Sequence, residues 1–367
     1  MAETQFIGLD LVAALQVVFL GFIGGTLSGF IGSGGAFFMT PGMMNLGVPG
    51  PIAVASNITH KFGKALVGSK KHGELGNVDK KLSLFMLITS IVGVRLAVSI
   101  MKALFEEGEH GAAGGAGAAA DLYISLVFVL FLLIVSLAML TDIAASRKKQ
   151  SSGPSTKIVS FLNRLHLPPF VRFEVADVRA SLWVVLIAGL GTGYMAGTIG
   201  VGGFIGVPAM IYVLGVPAAV AAGTELYLAV FNGAWGALNY AYEGLVDIRL
   251  TFLLYAGSLV GIYIGAYGTK VVREVFIRLV TAVIILLCVV SRAISVPIYL
   301  QQLGYLKLDP AYNPILNAIS TAVLYGSGIA GGGLILFFVF RAYFQRRRVE
   351  ASLTRAAGVP GATGLRA

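Results

Sequence analysis

The chain has 367 residues, of which 57% are hydrophobic and only 12% are charged, whereas a soluble domain carries about a quarter of its residues charged. This composition predicts an integral membrane protein. The net charge of +10 comes from Lys and Arg that crowd into a few loops, which the positive-inside rule explains better than a nucleic-acid partner does.

Segments long enough to span about 30 Å of hydrocarbon, which takes roughly 20 residues, recur along the whole chain. Two shorter segments, 35–47 and 204–214, are too short to cross comfortably, and each follows a glycine-rich stretch. No Lys or Arg precedes the first apolar run, so we expect the first helix to be retained and not cleaved as a signal peptide. The full-length candidates lie near 11–31, 52–69, 82–101, 122–141, 180–199, 219–242, 250–269, 279–299 and 314–340.

Two halves of the chain share one pattern under a single constant shift, the one that places Gly21 on Gly189. A GVP turn and a G-x-V-D motif fall into register under the same shift as the glycines, which chance matching of glycines alone does not explain. The sequence therefore predicts two copies of one unit. The aligned glycines of the first segment in each copy are Gly21, Gly25 and Gly29, then Gly189, Gly193 and Gly197.

Basic residues in equivalent loops predict that the two copies face opposite sides of the membrane. The loop closing the first glycine-rich half holds six lysines, whereas its counterpart after Tyr240 holds only Arg249. The next loop, 105–121, has no Lys or Arg, while its counterpart holds three basic residues. Basic clusters at 147–149 and 346–348 place those ends in the cytoplasm, so the N-terminus is expected outside. Inverted repeats are typical of secondary transporters; two parallel copies in a duplicated scaffold remain the alternative.

The fold class predicted from these patterns is all-α, a polytopic transmembrane bundle of two inverted repeats with short, broken helices at the glycine-rich motifs. Residues 157–169 of the linker between the copies carry apolar side chains at helical spacing. We expect this amphipathic segment to lie on the inner membrane face, with a cytoplasmic helix packed on the protein as the alternative. The predicted parts are a first repeat at 11–145, a cytoplasmic linker at 146–179, a second repeat at 180–300, an additional helix at 314–341 and a basic cytoplasmic tail at 342–367.

The glycine-rich stretches GSGG (32–35) and GVGG (200–203) admit three interpretations. A dinucleotide fingerprint needs a strand before it and is disfavoured within an apolar helix-length run. Packing explains glycines repeated every four residues, but three glycines in four positions weaken a helix by roughly 1 kcal/mol each and indicate a break. Short helices restarting at Gly35 and Gly203 would point their first N–H groups into the break and create an anion site without a buried Arg or Lys.

The doubled pattern G-x-G-G, a short apolar piece, Pro, a G-V-P turn and A-V-A-x-(S/T) resembles the TauE/SafE family of bacterial sulfite and organosulfonate exporters. The resemblance covers most of residues 11–300. It implies transport of a small sulfur-containing or carboxylate anion across the cytoplasmic (inner) membrane, with proton coupling. The chain departs from the family pattern in its Gly/Ala loop at 108–120, in its linker, and in having Glu225 where the first copy has Asn57.

Polar residues inside membrane segments are functional candidates by default. The shift that aligns the two copies pairs Ser56 with Thr224 and Asn57 with Glu225. We predict that Ser56, Asn57 and Thr224 donate hydrogen bonds to a substrate oxyanion, although hydroxyls in such helices often bond their own backbone. The predicted substrate-binding set is Gly32, Ser33, Gly34, Gly35, Ser56, Asn57, Gly200, Gly202, Gly203 and Thr224.

Glu225 is the candidate for proton coupling, because desolvation on an apolar helix disfavours the charged carboxylate. The alternatives are an ion pair and a position at the membrane edge. His60 and Lys61 are candidates for the inner mouth of a pore, and Lys61 is expected to snorkel towards the surface. Asp79 and Asp247 are predicted to cap the helices that follow them.

A transporter for a small sulfur-containing anion such as sulfite or sulfoacetate is therefore the leading functional hypothesis. A passive anion channel and a transporter of a non-sulfur carboxylate are the alternatives. An enzyme is not predicted, because no nucleophile, metal cluster or pair of carboxylates lies near the midplane. The single cysteine, Cys288, lies in an apolar segment and the four histidines lack ligand spacing, so no cofactor or metal is predicted. The expected partners are the anionic substrate and the bilayer.

Overall fold

The computed structural model describes residues 11–31, 35–110, 117–148, 167–200, 202–272 and 274–356, and 84% of it is helical. A short π-helix spans Ala209–Val213, and a 3₁₀ turn, Pro310–Tyr312, precedes the last helix. The helices are α1 (Leu11–Ile31), α2 (Ala36–Asn45), α3 (Gly50–Glu74), α4 (Lys80–His110), α5 (Ala118–Lys148), α6 (Leu182–Ile199), α7 (Gly203–Pro208), α8 (Ala218–Tyr242), α9 (Ile248–Val271), α10 (Glu274–Gln302) and α11 (Asn313–Ala356).

Seven helices of the described chain are long and apolar enough to cross a membrane: α1, α4, α5, α6, α9, α10 and α11. The segments 52–69 and 219–242, which the sequence also predicts as spans, form α3 and α8 but fall outside this set. The reason is their polar content, since α3 carries Lys61 and Lys64 and α8 carries Glu225. These two helices outside the set thus hold several of the candidate site residues.

The order of elements repeats under the shift predicted from the sequence. Helices α3 and α8 have the same length, and their first residues, Gly50 and Ala218, are equivalent under that shift. Helices α4 and α9 begin at Lys80 and Ile248, which are equivalent in the same way. Each copy therefore contains a long helix, a short helix, a polar helix and a further long helix in the same order.

Two helix pairs join the copies, each made of one helix from each copy, and glycines lie where the two helices touch. Helix α1 packs on α9, and helix α4 packs on α6. A side chain at any of the six aligned glycines would overlap a facing helix, so the packing role predicted for them is confirmed. Residue numbers increase together along the contacts of each pair, so the two helices of a pair run parallel. Gly21, Gly25 and Gly29 meet Leu254, Ser258 and Ile262, in that order. Gly189, Gly193 and Gly197 meet Met86, Ser90 and Val94.

The equivalent helices α3 and α8 pack on each other in the opposite sense. Gly236 lies against Ile58 and Gly233 against Phe62, so residue numbers increase along α3 as they decrease along α8. Corresponding helices of the two copies are therefore antiparallel where they meet.

The linker between the copies ends in a β-hairpin that the sequence analysis did not predict. Its strands, β1 (Phe170–Phe173) and β2 (Val178–Ser181), pair antiparallel. Phe173 and Ala176 are fully buried in a cluster with Met210 of the π-helix. The predicted amphipathic segment lies mostly outside the described residues, so its position stays a prediction. Helix α11 continues to Ala356, into the segment predicted as a basic tail.

Candidate functional site

Two short helices restart where the glycine-rich stretches predict. Helix α1 ends at Ile31, and α2 begins at Ala36 with Gly35 as its N-cap residue. Helix α6 ends at Ile199, and α7 begins at Gly203. Gly200 takes a left-handed backbone with φ of +75°, which ends α6 at a conformation that favours glycine. Gly32, Ser33 and Gly34 lie outside the described residues.

The two short helices meet in the interior of the bundle. The rings of Phe37 on α2 and Phe204 on α7 pack edge to face with centroids 4.9 Å apart. Thr40 Oγ1 donates to the carbonyl of Ile199 at 3.3 Å, tying α2 to the end of α6. Asn57 Nδ2 donates to Thr40 Oγ1 at 2.7 Å and lies beside Gly200. Asn57 of one copy therefore reaches the helix break of the other.

A buried ion pair lies one helical turn beyond Asn57. Lys61 Nζ lies 3.7 Å from Glu225 Oε1, and the two side chains are only 9% and 3% exposed. The Glu225 carboxyl group packs on Gly206 of α7, where a β-carbon would overlap Oε2. The expectation that Lys61 snorkels to the surface is wrong, because Glu225 holds its ammonium group inside the protein. The ion-pair alternative for Glu225 is the observed one.

Polar residues on α3 form two stripes with different neighbours. Asn57 and Lys61, spaced i and i+4, face the second copy's break and α8. Ser56 and His60, with the same spacing, face α9. His60 Nε2 lies 2.7 Å from Ser258 Oγ, and the imidazole packs on the ring of Tyr255. His60 therefore belongs to the contact between α3 and α9 in this structure.

Each site hydroxyl contacts the capping aspartate of the other copy. Ser56 Oγ donates to the carbonyl of Asp247 at 3.3 Å, and the N–H of Asp79 donates to Thr224 Oγ1 at 3.0 Å. Both aspartates cap as predicted: Asp79 accepts from the N–H of Leu82, and Asp247 accepts from the N–H groups that follow it. Because α3 and α8 run antiparallel, Ser56 and Thr224 lie towards opposite ends of the pair and are not brought together.

Sequence reasoning missed Arg292, the largest fully buried side chain among the described residues. Its guanidinium donates to Asn45 Oδ1 and, at 2.8 Å, to Ser295 Oγ. Asn45 is the last residue of α2, so Arg292 on α10 fixes the carboxyl end of the first short helix, where the helix dipole favours a cation. A charged residue within the apolar run 279–299 was the available signal.

A helical bundle with paired helix breaks at its centre is the architecture of many secondary transporters, and comparison with known proteins gives the same class. A family model described as Sulfite exporter TauE/SafE matches residues 17–292. The chain therefore belongs to the TauE/SafE family of membrane transporters.

Curated relatives from Bacillus subtilis (strain 168) carry transporter names. The chain is 25% identical over 256 residues to "Probable membrane transporter protein YjnA". That alignment covers 69% of this chain and 89% of that protein. The chain is 24% identical over 271 residues to "Probable membrane transporter protein YdhB". That alignment covers 72% of this chain and 94% of that protein. No solved structure matches the chain.

Proposed function

We propose that the protein is a secondary transporter that exports a small sulfur-containing anion, such as sulfite or sulfoacetate, across a bacterial cytoplasmic membrane in a proton-coupled manner. The observation that carries this proposal is the meeting of the two short helices, where Asn57 reaches Gly200 and Glu225 lies against α7. Backbone N–H groups at such breaks suit an anion. The proposal involves no chemical conversion of the transported anion.

Inverted orientation of the two copies is part of this proposal. Equivalent helices α3 and α8 pack antiparallel, as expected for copies related by a two-fold axis perpendicular to the helices. An axis of that kind lies in the membrane plane when the helices cross the bilayer. In this arrangement the N-terminus is outside and the C-terminus is cytoplasmic.

Flux in proteoliposomes tests the proposed function. Sulfite, thiosulfate, sulfoacetate, sulfate and a non-sulfur carboxylate are measured with and without a pH gradient. We expect at least one sulfur-containing anion to move faster when a gradient is imposed. Flux that ignores the gradient indicates a passive channel, and flux of the carboxylate alone indicates a different substrate class. If no anion moves under any gradient, the transporter proposal fails.

Glu225→Gln tests the coupling. We expect this variant to lose the pH-dependent part of the flux while the protein level in the membrane stays unchanged, because the amide cannot carry a proton. Glu243→Gln is the matched control, since Glu243 also lies at α8 and pairs with Lys102 Nζ at 2.6 Å, away from the helix breaks. Proton coupling that persists in Glu225→Gln contradicts the role of this residue.

A further inference from the structure

The Lys61–Glu225 pair is wider than the Lys102–Glu243 pair just beyond the end of α8. Its N···O distance is 3.7 Å, whereas Lys102 and Glu243 approach to 2.6 Å, and charge-assisted hydrogen bonds lie near 2.7–2.9 Å. Neither carboxylate oxygen of Glu225 has a hydrogen-bond partner among the described residues. A buried carboxylate that accepts no hydrogen bond is held mainly by the charge of the nearby ammonium group, so neutralising the carboxylate removes what holds it there.

While Lys61 is charged, its burial favours a negative partner close to the ammonium group. An ammonium group without a counter-charge is costly inside a protein and more so at membrane depth. At rest Glu225 supplies that charge. If Glu225 becomes neutral while Lys61 keeps its proton, a bound anion restores a neutral pair, whereas without an anion Lys61 is an unpaired buried charge.

The other ionisable groups around Glu225 do not supply this charge. Helix α3 brings His72, whose Cβ lies beside Gly223, and His60 and Lys64, whose partners are Ser258 and Ser28. Helix α4 brings Asp79, whose carboxylate is used by the N–H groups of Leu82 and Ala176. Helices α6 and α7 and the π-helix contain no acid or base other than tyrosine.

We propose that the Glu225 carboxylate balances the charge of Lys61 when no transported anion is bound. Protonation of Glu225 then frees the ammonium group to bind a singly charged oxyanion headgroup such as a sulfonate. The inference rests on the proposed function and specifies its coupling. A proton from solution adds to the Glu225 carboxylate, Lys61 keeps its charge, and the charge of the anion replaces that of Glu225. The pair is neutral before and after, so one proton binds with each anion. Export of the two together is driven by the anion gradient, because the proton leaves with the anion.

Binding of methanesulfonate and sulfoacetate to the purified full-length protein tests this inference. Methanesulfonate has no group that takes up a proton near neutral pH, so any proton consumed when it binds goes to the protein. We expect the Kd of the wild-type protein to rise by up to about tenfold per pH unit between pH 6 and 8, because one proton is linked to one anion. Binding in weakly buffered solution should consume up to one proton per anion.

Substitutions of the pair separate the two roles. In Glu225→Gln the Kd should no longer depend on pH, and at pH 8 methanesulfonate should raise the Tm of this variant more than that of the wild type. Lys61→Gln should weaken binding at least tenfold at every pH. The double variant Lys61→Gln/Glu225→Gln leaves neither charge unpaired and should bind no sulfonate, while Glu243→Gln should behave as the wild type.

Three outcomes overturn the inference: no sulfonate binding to the wild type, wild-type pH dependence in Glu225→Gln, or wild-type affinity in the double variant. Failure here is distinct from failure of the proposed function. Proton-dependent anion flux that survives Glu225→Gln leaves a transporter with a different coupling group. Absence of flux for every anion removes the transporter itself.

Discussion

Asp79 and Asp247 occupy equivalent positions in the two copies but hold different partners. Asp79 Oδ1 caps α4, and Oδ2 accepts from the N–H of Ala176 at the tip of the hairpin. Both carboxylate oxygens of Asp247 accept hydrogen bonds from its own helix, and Oδ2 accepts from the Arg249 guanidinium at 2.8 Å. Asp79 therefore attaches the hairpin of the linker to α4, whereas the carboxylate of Asp247 bonds to the first turn of α9.

Alanine substitutions should distinguish these two aspartates. Asp247→Ala should reduce stability by about 1 kcal/mol, the typical loss for an N-cap. Asp79→Ala should cost about 2–4 kcal/mol, because it also leaves the buried N–H of Ala176 without a partner. Thermal unfolding of the detergent-solubilised protein, followed by size-exclusion chromatography, measures both. Equal losses would mean that the hairpin contact contributes nothing.

The cap at Asp247 also has a defined pH dependence. Burial favours the neutral form of Asp247, but hydrogen bonds from Arg249 outweigh burial and hold the pKa of the carboxyl below its ordinary value. The cap therefore stabilises the protein above the ordinary aspartate pKa of about 4, and this contribution is lost as the pH falls through the lowered value.

At the scale of elements, glycine decides how closely the long helices approach. Gly193 of α6 lies on the backbone of Ser90 in α4, whereas Gly191, two residues earlier on the same helix, faces open space. The sequence marks both as glycine. Only the packed structure tells which one makes the contact.

Alanine at these two glycines provides a matched test of helix packing. Gly193→Ala should destabilise the protein by about 1–3 kcal/mol, since the added methyl group overlaps backbone that cannot move aside freely. Gly191→Ala should be neutral or stabilise by up to about 1 kcal/mol, because alanine favours the helix. Tm values in detergent give the comparison. A neutral Gly193→Ala would show that α4 and α6 are less closely packed.

At the scale of the whole molecule, two parallel helix pairs, α1 with α9 and α4 with α6, surround the antiparallel pair α3 and α8. Because the first helix of each copy packs on the fourth helix of the other, neither copy is complete alone. The hydroxyl contacts from Ser56 and Thr224 to the opposite copy extend this interdependence to the site helices.

Cysteine labelling tests the inverted orientation. Glu74 and Tyr242 are exposed, equivalent residues at the ends of α3 and α8. In a Cys288→Ser background, a membrane-impermeant maleimide should label Tyr242→Cys in intact cells and Glu74→Cys only after permeabilisation. Labelling of both variants from one side would establish parallel copies and remove the inverted repeat from the proposal.

The sequence by itself determined the membrane class, the positions of the long helices, the repetition of one unit at a constant shift and the two helix breaks. These features are local, because hydropathy over about 20 residues and clustered glycines act on the segment that contains them. The family resemblance followed from the same local motifs and is confirmed. Glu225 could be selected from sequence because a carboxylate in an apolar helix is rare.

Only the tertiary structure decided which distant groups meet. The pairing of Lys61 with Glu225 joins residues far apart in sequence, and the snorkelling predicted for Lys61 failed because a buried counter-charge was available. The separation of Ser56 from Thr224 follows from the antiparallel packing of α3 and α8. Sequence motifs give the residue types at a site, whereas the directions of packed helices fix the distances between them.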